Sequence, residues 1–399
     1  MRAIFNFTVC SLLLVFAACA QKPTQNQNAG LPKAATTEQV NAAPKDNPGD
    51  IVLGGIFALT GEQASFGVST KNGVELALKE INASGGVLGR KIKILGLDDQ
   101  SKPEEAATIM TRFATQDKVT AVIGDVASSN SLAMGPVAQA NKIPFISPAS
   151  TNPKVTQIGD YIFRVCFIDP FQGTVMAKFA HESLKAKRVA ILRDMKSDYS
   201  MGLADYFAKT FQALGGEVIT DQSYAAGDVD FKSQLTSIKA QSPEAIFVPG
   251  YYTESALIAR QAKELGLTVP LMGGDGWDSA KLVEIGGDAV EGHYFSNHYS
   301  PEDPSEVTQK FVTDYKAAYH SSPDALAALG YDALKVMVDA IKRAGSTDAQ
   351  AIRDAIALTK DLPGAAGTIT MNSERNVDKP AVVLQIQSGK FVFKEKVNP

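Results

Sequence analysis

The sequence is poor in cysteine. Its three cysteines are Cys10, Cys19 and Cys166, and the first two lie close to the N-terminus. Only Cys166 falls in the region whose hydrophobic pattern is that of a folded domain, so an internal disulfide is excluded even in an oxidising compartment. We interpret Cys166, which follows Arg164-Val165 at a strand end, as a buried thiol rather than a nucleophile.

The sequence also lacks a basic tract and, beyond its N-terminus, a long apolar run. Lys and Arg number 39 against 43 Asp and Glu, which gives a formal net charge of −4 over 399 residues. No cluster of cations is available to release counterions from a phosphate backbone, so nucleic acid is excluded as a partner. No segment after the N-terminal region is long and apolar enough to span a bilayer.

Catalytic and cofactor motifs are missing as well. There is no G-x-G-x-x-G after a strand, no G-x-x-x-x-G-K-[ST] and no G-x-S-x-G in the sequence. The four histidines (His181, His293, His298 and His320) have no metal-ligand spacing. We therefore predict a protein that is not an enzyme and needs no metal or cofactor. An exported hydrolase is the alternative from another class, but no nucleophile and base pair is visible.

The N-terminus has the pattern of an export signal. Residues 1–18 combine Arg2 with a short apolar core and end at the small residues Ala17 and Ala18, directly before Cys19. This arrangement resembles a bacterial lipobox, which predicts that Cys19 receives lipid and anchors the chain to a membrane. The alternative is ordinary signal cleavage with a free Cys19. Residues 19–50 are polar and without a hydrophobic period, and they predict a flexible tether.

From Ile51 onward, short apolar runs alternate with amphipathic segments. This alternation predicts strand-helix-strand units that build parallel sheets covered by helices. Among the predicted helices are residues 132–140 and residues 325–344. The pattern restarts after Asp169-Pro170, and helices return late in the chain before a final strand pair. Two similar α/β halves that exchange chain segments are therefore expected, with a ligand site in the cleft between them.

Four segments that follow predicted strands are rich in hydroxyl, small and aromatic residues, and none contains an arginine: Gly124–Ser131, Ile146–Pro153, Gly250–Glu254 and Gly273–Asp278. Hydroxyl groups and backbone N–H groups at a helix N-terminus suit a carboxylate. Plain helix capping by Ser128 or Ser129 is the alternative for the first segment. A zwitterion needs such donors for its carboxylate and an acidic group for its ammonium, and Asp275 supplies the acid.

These segments also carry a family resemblance. Residues 51–399 resemble the substrate-binding proteins of branched-chain amino acid ABC transporters, in order and in spacing. The matching motifs are Phe57-Ala58-Leu59-Thr60-Gly61, Gly67 through Gly73, Ile81-Asn82-Ala83-Ser84-Gly85-Gly86, Ile146-Ser147-Pro148, Gly250-Tyr251-Tyr252 and Gly273-Gly274-Asp275-Gly276.

The resemblance implies a type I periplasmic binding protein fold, in which two doubly wound α/β lobes with parallel sheets are joined by a three-stranded hinge. The N-terminal lobe is expected to comprise residues 51–168 and 299–375. The C-terminal lobe is expected to comprise residues 169–298 and 376–399. A disulfide of the family would fall at Ser101 and Ala127, so this chain lacks it.

The resemblance further implies which residues hold the two charges of an amino acid. Ser128 and Thr151 match the family's ligands for the α-carboxylate. The backbone carbonyl of Ala149 and the side chain of Asp275 match its ligands for the ammonium. The family often has Glu at the last position, and Asp is one methylene shorter, so the ammonium or the lobe closure must shift.

The walls of the implied site are aromatic. Phe66, Tyr199 and Tyr251 match residues that flank the ligand, and Trp277 is expected to lie beside the site as a packing residue. Leu326 falls where the family can have an aromatic residue, which leaves the side-chain preference open.

The resulting expectation is an exported solute-binding lipoprotein that faces the periplasm or the cell exterior. It would capture an amino acid, branched-chain or aliphatic, and deliver it to the permease subunits of an ABC transporter. The alternative is that the same scaffold binds an amide, a short peptide or an aromatic acid, because a fold does not fix its ligand.

Overall fold

The computed structural model describes residues 49–398. The predicted signal peptide, Cys19 and nearly all of the predicted tether lie outside these residues. Within residues 49–398, no helix is both long enough and apolar enough to cross a membrane.

The first sheet has five parallel strands in the order β2-β1-β3-β4-β5. The central strands are near-continuous apolar runs, as expected where helices cover both faces of a parallel sheet, whereas the edge strand β2 is mostly half-buried and includes Lys93 and Asp98. The strands are β1 (Ile51–Phe57), β2 (Ile92–Asp98), β3 (Val122–Ile123), β4 (Phe145–Ser147) and β5 (Ile162–Arg164). The helices between them are α1 (Ala64–Ala83), α2 (Pro103–Arg112), α3 (Ser128–Ala140) and α4 (Lys154–Gln157).

The second sheet begins with five parallel strands and is extended by two antiparallel ones. The parallel strands are β6 (Arg188–Asp194), β7 (Glu217–Tyr224), β8 (Ala245–Phe247), β9 (Leu271–Gly273) and β10 (Tyr294–Asn297). The helices that accompany them are α5 (Asp169–Lys178), α6 (Asp198–Ala213), α7 (Lys232–Ala240), α8 (Tyr252–Glu264) and α9 (Ala280–Gly286).

Three later helices return to the first sheet before the chain ends in the second. They are α10 (Glu306–Tyr319), α11 (Ala325–Ala344) and α12 (Ala349–Ala357). The final strands β11 (Ala381–Gln387) and β12 (Lys390–Val397) form a hairpin whose first strand is antiparallel to β10. The second sheet therefore has the order β12-β11-β10-β9-β8-β6-β7.

The chain passes between the two sheets three times, near residues 165–168, 298–305 and 378–380. The predicted α/β architecture with parallel strands in two lobes is confirmed, although the hairpin makes the second sheet mixed. The exact lobe limits proposed above remain a prediction.

Several element bounds differ from those that the sequence pattern predicts. Helix α3 begins at Ser128 rather than at Leu132, because its polar first turn carries no apolar period. Helix α9 was not predicted, since its seven residues include only three with large apolar side chains. By contrast, α11 has the predicted bounds: Asp324 caps its N-terminus, and Gly345 ends it at φ 61°.

Helices α1 and α11 pack closely enough that each carries a glycine against the backbone of the other. A Cβ atom on Gly73 would overlap the carbonyl oxygen of Ala327, and one on Gly330 would overlap the carbonyl oxygen of Thr70. Interiors packed this densely cannot absorb an added methyl group without a backbone shift.

We expect Gly73→Ala to lower the free energy of unfolding by about 1–3 kcal/mol, since α1 and α11 must separate to admit the methyl group. Urea denaturation measures this change. Gly96→Ala in β2 is the matched control, because its Cβ atom would meet Phe57 at an ordinary 3.5 Å. Equal losses for the two variants would contradict close packing at Gly73.

Candidate functional site

A small cavity lies where the two sheets face each other. Its volume is about 20 Å³, room for little more than a water molecule. It is lined by Phe66, Val126, Ser128, Ala149, Tyr199, Tyr251, Asp275, Gly276 and Leu326. Six of the eight residues predicted for the site therefore meet around one cavity, at the carboxyl ends of parallel strands, where α/β folds hold ligands.

Ser128 lies in the first turn of α3, with its side chain buried. Its Oγ accepts a hydrogen bond of 3.2 Å from the backbone N–H of Asn152. It does not cap its own helix, since the N-terminal flanking residue is Ala127 and no side chain caps α3. The hydroxyl and the free N–H groups of this helix end offer donors to an anion in the cavity.

Thr151 lies two residues after Ala149 in the loop that follows β4. It is not among the lining residues, but its Oγ1 is buried and has no hydrogen-bond partner within residues 49–398. Buried hydroxyl groups are rarely left without a partner. Burial raises the pKa of the nearby Asp169 to about 8, and the Thr151 hydroxyl opposes that rise, so Oγ1 lies between this carboxyl group and a ligand to which it can donate.

Asp275 faces the cavity from the loop after β9, and three side chains hold its carboxylate. Its Oδ1 accepts hydrogen bonds from Tyr199 Oη at 2.8 Å and from Gln172 Nε2 at 2.9 Å. Its Oδ2 lies 2.9 Å from Nε2 of His298. No motif indicates Gln172 or His298, because both contact Asp275 only through their side chains in the folded protein.

The aromatic walls of the cavity pack against one another. The rings of Tyr199 and Tyr251 are stacked, with centroids 5.3 Å apart and planes at 8°. Phe66 meets Tyr251 edge to face at 5.8 Å. Tyr199 also accepts a hydrogen bond of 3.1 Å from the N–H of Gly276. These rings form a rigid apolar surface across from the polar groups of Ser128 and the loop after β4.

Trp277 does not line the cavity. It is fully buried, and its Nε1 donates to the carbonyl oxygen of Val248 at 3.1 Å. Its ring lies against Gly273, where a Cβ atom would overlap it. These contacts support the interpretation of Trp277 as a packing residue beside the site.

The two lobes touch at the rim of the cavity. Asp198, at the start of α6, receives hydrogen bonds from the first lobe: Asn152 Nδ2 donates to its carbonyl oxygen at 2.8 Å, and Ser129 Oγ lies 3.0 Å from its Oδ2. On the other side, Ser65 N donates to Tyr252 Oη at 3.3 Å. The cavity between them is too small for an amino acid, so a ligand can be accommodated only by a movement that separates the lobes.

The loop that carries Ser128 rests on two buried carboxyl groups. The Nδ2 of Asn130 donates to Oδ2 of Asp99 and to Oδ2 of Asp125, each at 3.0 Å. Burial, together with the adjacent charge of Asp125, raises the pKa of Asp99 well above its usual range. The folded protein therefore retains a proton here that the unfolded chain releases near pH 4.

Because the folded state binds the extra proton, its free energy of unfolding falls as the pH rises above about 4, by up to about 1.4 kcal/mol per pH unit for one proton. Asp99→Asn removes this titration. We expect urea denaturation between about pH 6 and 9 to show a shallower loss of stability in this variant than in the wild type.

Asp98→Asn is the matched control for that experiment. Although partial burial opposes it, hydrogen bonds from Thr60 and nearby backbone N–H groups lower the pKa of Asp98. The stabilisation by the Asp98 carboxylate is complete above about pH 4. Asp98→Asn should therefore lower the free energy of unfolding by the same amount at every pH in this range. If the free energy of unfolding of Asp99→Asn fell with pH as steeply as that of the wild type, Asp99 would not be the group that retains the proton.

Comparisons with known proteins agree with this geometry. A family model for periplasmic binding proteins matches residues 50–390. The Leu/Ile/Val-binding protein BraC3 of Rhizobium johnstonii is 32% identical over 349 residues, which cover 87% of this chain and 94% of the relative.

Two solved structures share the fold over nearly their whole length. The leucine binding protein LivK from Thermotoga maritima is 43% identical, with a TM-score of 0.85, and the match covers 88% of this chain and 99% of LivK. LivJ from Streptococcus pneumoniae, solved in complex with isoleucine, is 34% identical, with a TM-score of 0.84, and the match covers 88% of this chain and all of LivJ. The type I periplasmic binding protein fold is thereby confirmed, and the family implies an exported location. The chain belongs to the periplasmic binding protein family, as a substrate-binding protein of the branched-chain amino acid ABC transporter type.

Proposed function

We propose that this protein captures an aliphatic L-amino acid in the cavity between its lobes and delivers it to the permease of an ABC transporter. The observation that carries the proposal is that the Asp275 carboxylate and the Ser128 hydroxyl at the N-terminus of α3 line the same cavity. An ammonium would bind Asp275 and the carbonyl of Ala149. A carboxylate would bind Ser128, the adjacent N–H groups and Thr151.

The nature of the walls supports an aliphatic side chain. Val126 and Leu326 line the cavity together with three aromatic rings, and no Lys or Arg is among the described residues that line it. A second acidic group on the ligand would therefore be buried without a counter-charge, which costs several kcal/mol. Leu326 stands where the family can have an aromatic residue, and its smaller side chain leaves more room for a branched ligand side chain.

Calorimetry tests the zwitterion requirement directly. Leucine, isoleucine and valine should bind, whereas 4-methylpentanoate, which lacks the ammonium, and 3-methylbutylamine, which lacks the carboxylate, should bind at least about a hundredfold more weakly. The absence of either charged group from the ligand leaves the protein groups that would bind it buried and unpaired. If either analogue bound as tightly as leucine, the proposal would be wrong.

A larger or more polar ligand is the second candidate, and one observation favours it. A cavity of about 180 Å³ lies on the other side of Tyr251 and is lined by Glu62, Asp194 and Glu254 among others. Tyr251 lines both cavities, so its ring would have to move away from Tyr199 for one ligand to occupy both. A thermal-shift screen with amides, dipeptides and aromatic acids separates this candidate, since a ligand that binds the folded state raises the unfolding midpoint.

We also propose that lipid on Cys19 anchors the protein to a membrane, with residues 19–50 as a tether. The support is the sequence Ala17-Ala18-Cys19 after a short apolar core. Cys19→Ser should move the protein from the membrane fraction to the soluble fraction and abolish incorporation of labelled fatty acid. Unchanged fractionation of the variant would contradict the anchor.

A further inference from the structure

His298 connects the ligand cavity to the segments that join the two lobes. It is the first residue after β10, at the second of the three passages between the sheets, where the chain returns from the second sheet to the first. It is 3% exposed, and its Nε2 lies 2.9 Å from Oδ2 of Asp275. Among the described residues, it is the one side chain that contacts this oxygen, whereas Tyr199 and Gln172 both donate to Oδ1.

The imidazole is itself held in place by another joining segment. Its ring lies on the ring of Phe167, with centroids 3.7 Å apart and planes at 31°. Phe167 lies between β5 and α5, where the chain first passes between the sheets. In addition, the backbone N–H of His298 donates to Asn297 Oδ1 at 2.8 Å. The ring is thus fixed relative to two of the three joining segments.

The donor and acceptor roles in this contact follow from its surroundings. Burial lowers the pKa of His298, so the imidazole is neutral at neutral pH. A carboxylate can only accept, so the ring proton lies on Nε2 and points at Asp275. Nδ1 then carries the free lone pair, and it has no hydrogen-bond partner within residues 49–398.

We infer that His298 is a positioning residue, which fixes the orientation of the Asp275 carboxylate and ties it to the segments that join the lobes. The inference rests on the proposed function, because the carboxylate is there the acceptor for the ligand ammonium. Without a donor at Oδ2, only the two hydrogen bonds at Oδ1 hold the carboxylate, and combined changes of the side-chain torsions can move Oδ2 while Oδ1 stays bonded. The ammonium then meets an acceptor that is not held in the geometry it requires.

Two substitutions separate the hydrogen bond from the packing of the ring. His298→Phe keeps a ring against Phe167 and removes the donor. His298→Gln loses the ring and keeps an amide N–H group at a position close to Nε2. His293→Phe is the matched control: its imidazole is half-buried, its Nδ1 accepts a hydrogen bond from Leu271 N at 3.2 Å, and it has no hydrogen bond to Asp275.

Calorimetry with leucine, and competition measurements with the weaker ligand 4-methylpentanoate, give the decisive comparison. His298→Phe should bind leucine about tenfold or more weakly, since the orientation of a charged acceptor is lost. It should bind 4-methylpentanoate as the wild type does, because that ligand has no ammonium. His298→Gln should lie closer to the wild type than His298→Phe, and His293→Phe should be unchanged. Equal weakening for both ligands, or the reverse order of the two His298 variants, would overturn the inference.

A measurement without ligand keeps this test separate from that of the proposed function. In protein labelled with ¹⁵N-histidine, the Nε2 proton of His298 should exchange slowly with solvent in the wild type and in His293→Phe. It should be lost to rapid exchange in Asp275→Ala. If the protein bound no amino acid but the Nε2 proton signal still depended on Asp275, the proposed function would fail and the His298–Asp275 contact would stand. A proton signal that persisted in Asp275→Ala would overturn the contact itself.

Discussion

Asp275→Asn should weaken leucine binding by more than a hundredfold. The substitution keeps the shape of the side chain and removes the charge that we assign to the ligand ammonium. It also replaces one carboxylate oxygen by an N–H₂ group, which then faces a donor in either orientation: Tyr199 and Gln172 at Oδ1, or the N–H of His298 at Oδ2. Breaking a buried charge pair by removing one partner costs about 3–5 kcal/mol, and each 1.4 kcal/mol corresponds to a factor of ten in affinity.

Calorimetry of the variant with leucine and with 4-methylpentanoate measures this effect and its cause. The affinity for 4-methylpentanoate should fall much less, because this ligand has no ammonium. Asp288→Asn is a matched control, since Asp288 is an exposed acid of the same lobe that pairs with Lys263 at the surface. An Asp275→Asn protein with wild-type affinity for leucine would show that the ammonium is held elsewhere.

The fold could be predicted from the sequence largely because its signals are local. The run Ile51–Phe57 is buried along its length, as a central strand of a parallel sheet requires. The pattern of α11 is complete in itself, with a capping aspartate before it, a glycine after it and apolar residues at helical spacing between them. The start of α3 was wrong because polar first turns carry no such period, although its end at Ala140 was right.

The site could be predicted only in part, for a physical reason. Most residues that line the cavity lie a few positions after a strand, so the pattern of strands and loops indicates them, whereas Phe66 and Leu326 lie inside helices α1 and α11. Gln172 and His298 contact Asp275 from 103 and 23 positions away, and they do so through side-chain hydrogen bonds that leave no periodic trace in the sequence. Arg164 ends a buried strand, where an apolar residue would be the ordinary expectation.

Replacing Arg164 should be the most destabilising single change near the site. Its guanidinium is fully buried and donates to the carbonyl oxygens of Ser150 and Asn152, the second at 2.8 Å. It also reaches Thr156 Oγ1 at 3.3 Å. These groups belong to the loop after β4 and the helix that follows it, and Thr151 lies between two of the carbonyl groups. The charge therefore holds the segment that we assign to the ligand carboxylate.

Arg164→Met, of similar length, should lower the free energy of unfolding by about 3–5 kcal/mol, since buried acceptors lose their donors. Leucine binding should weaken about tenfold or more, because the Thr151 hydroxyl is no longer fixed. Urea denaturation and calorimetry measure the two effects.

Arg188 provides the control for the burial of the guanidinium. It donates to the carbonyl oxygens of Gln241 and Ser242 at 3.0 and 3.3 Å, but its side chain is 43% exposed. Water can hydrogen-bond these carbonyl oxygens in place of the guanidinium. Arg188→Met should therefore lower the free energy of unfolding by about 1 kcal/mol or less and leave leucine binding unchanged. If the two variants lost the same stability, the loop after β4 would be held by its own backbone, and the affinity for leucine should then survive the loss of Arg164 as well.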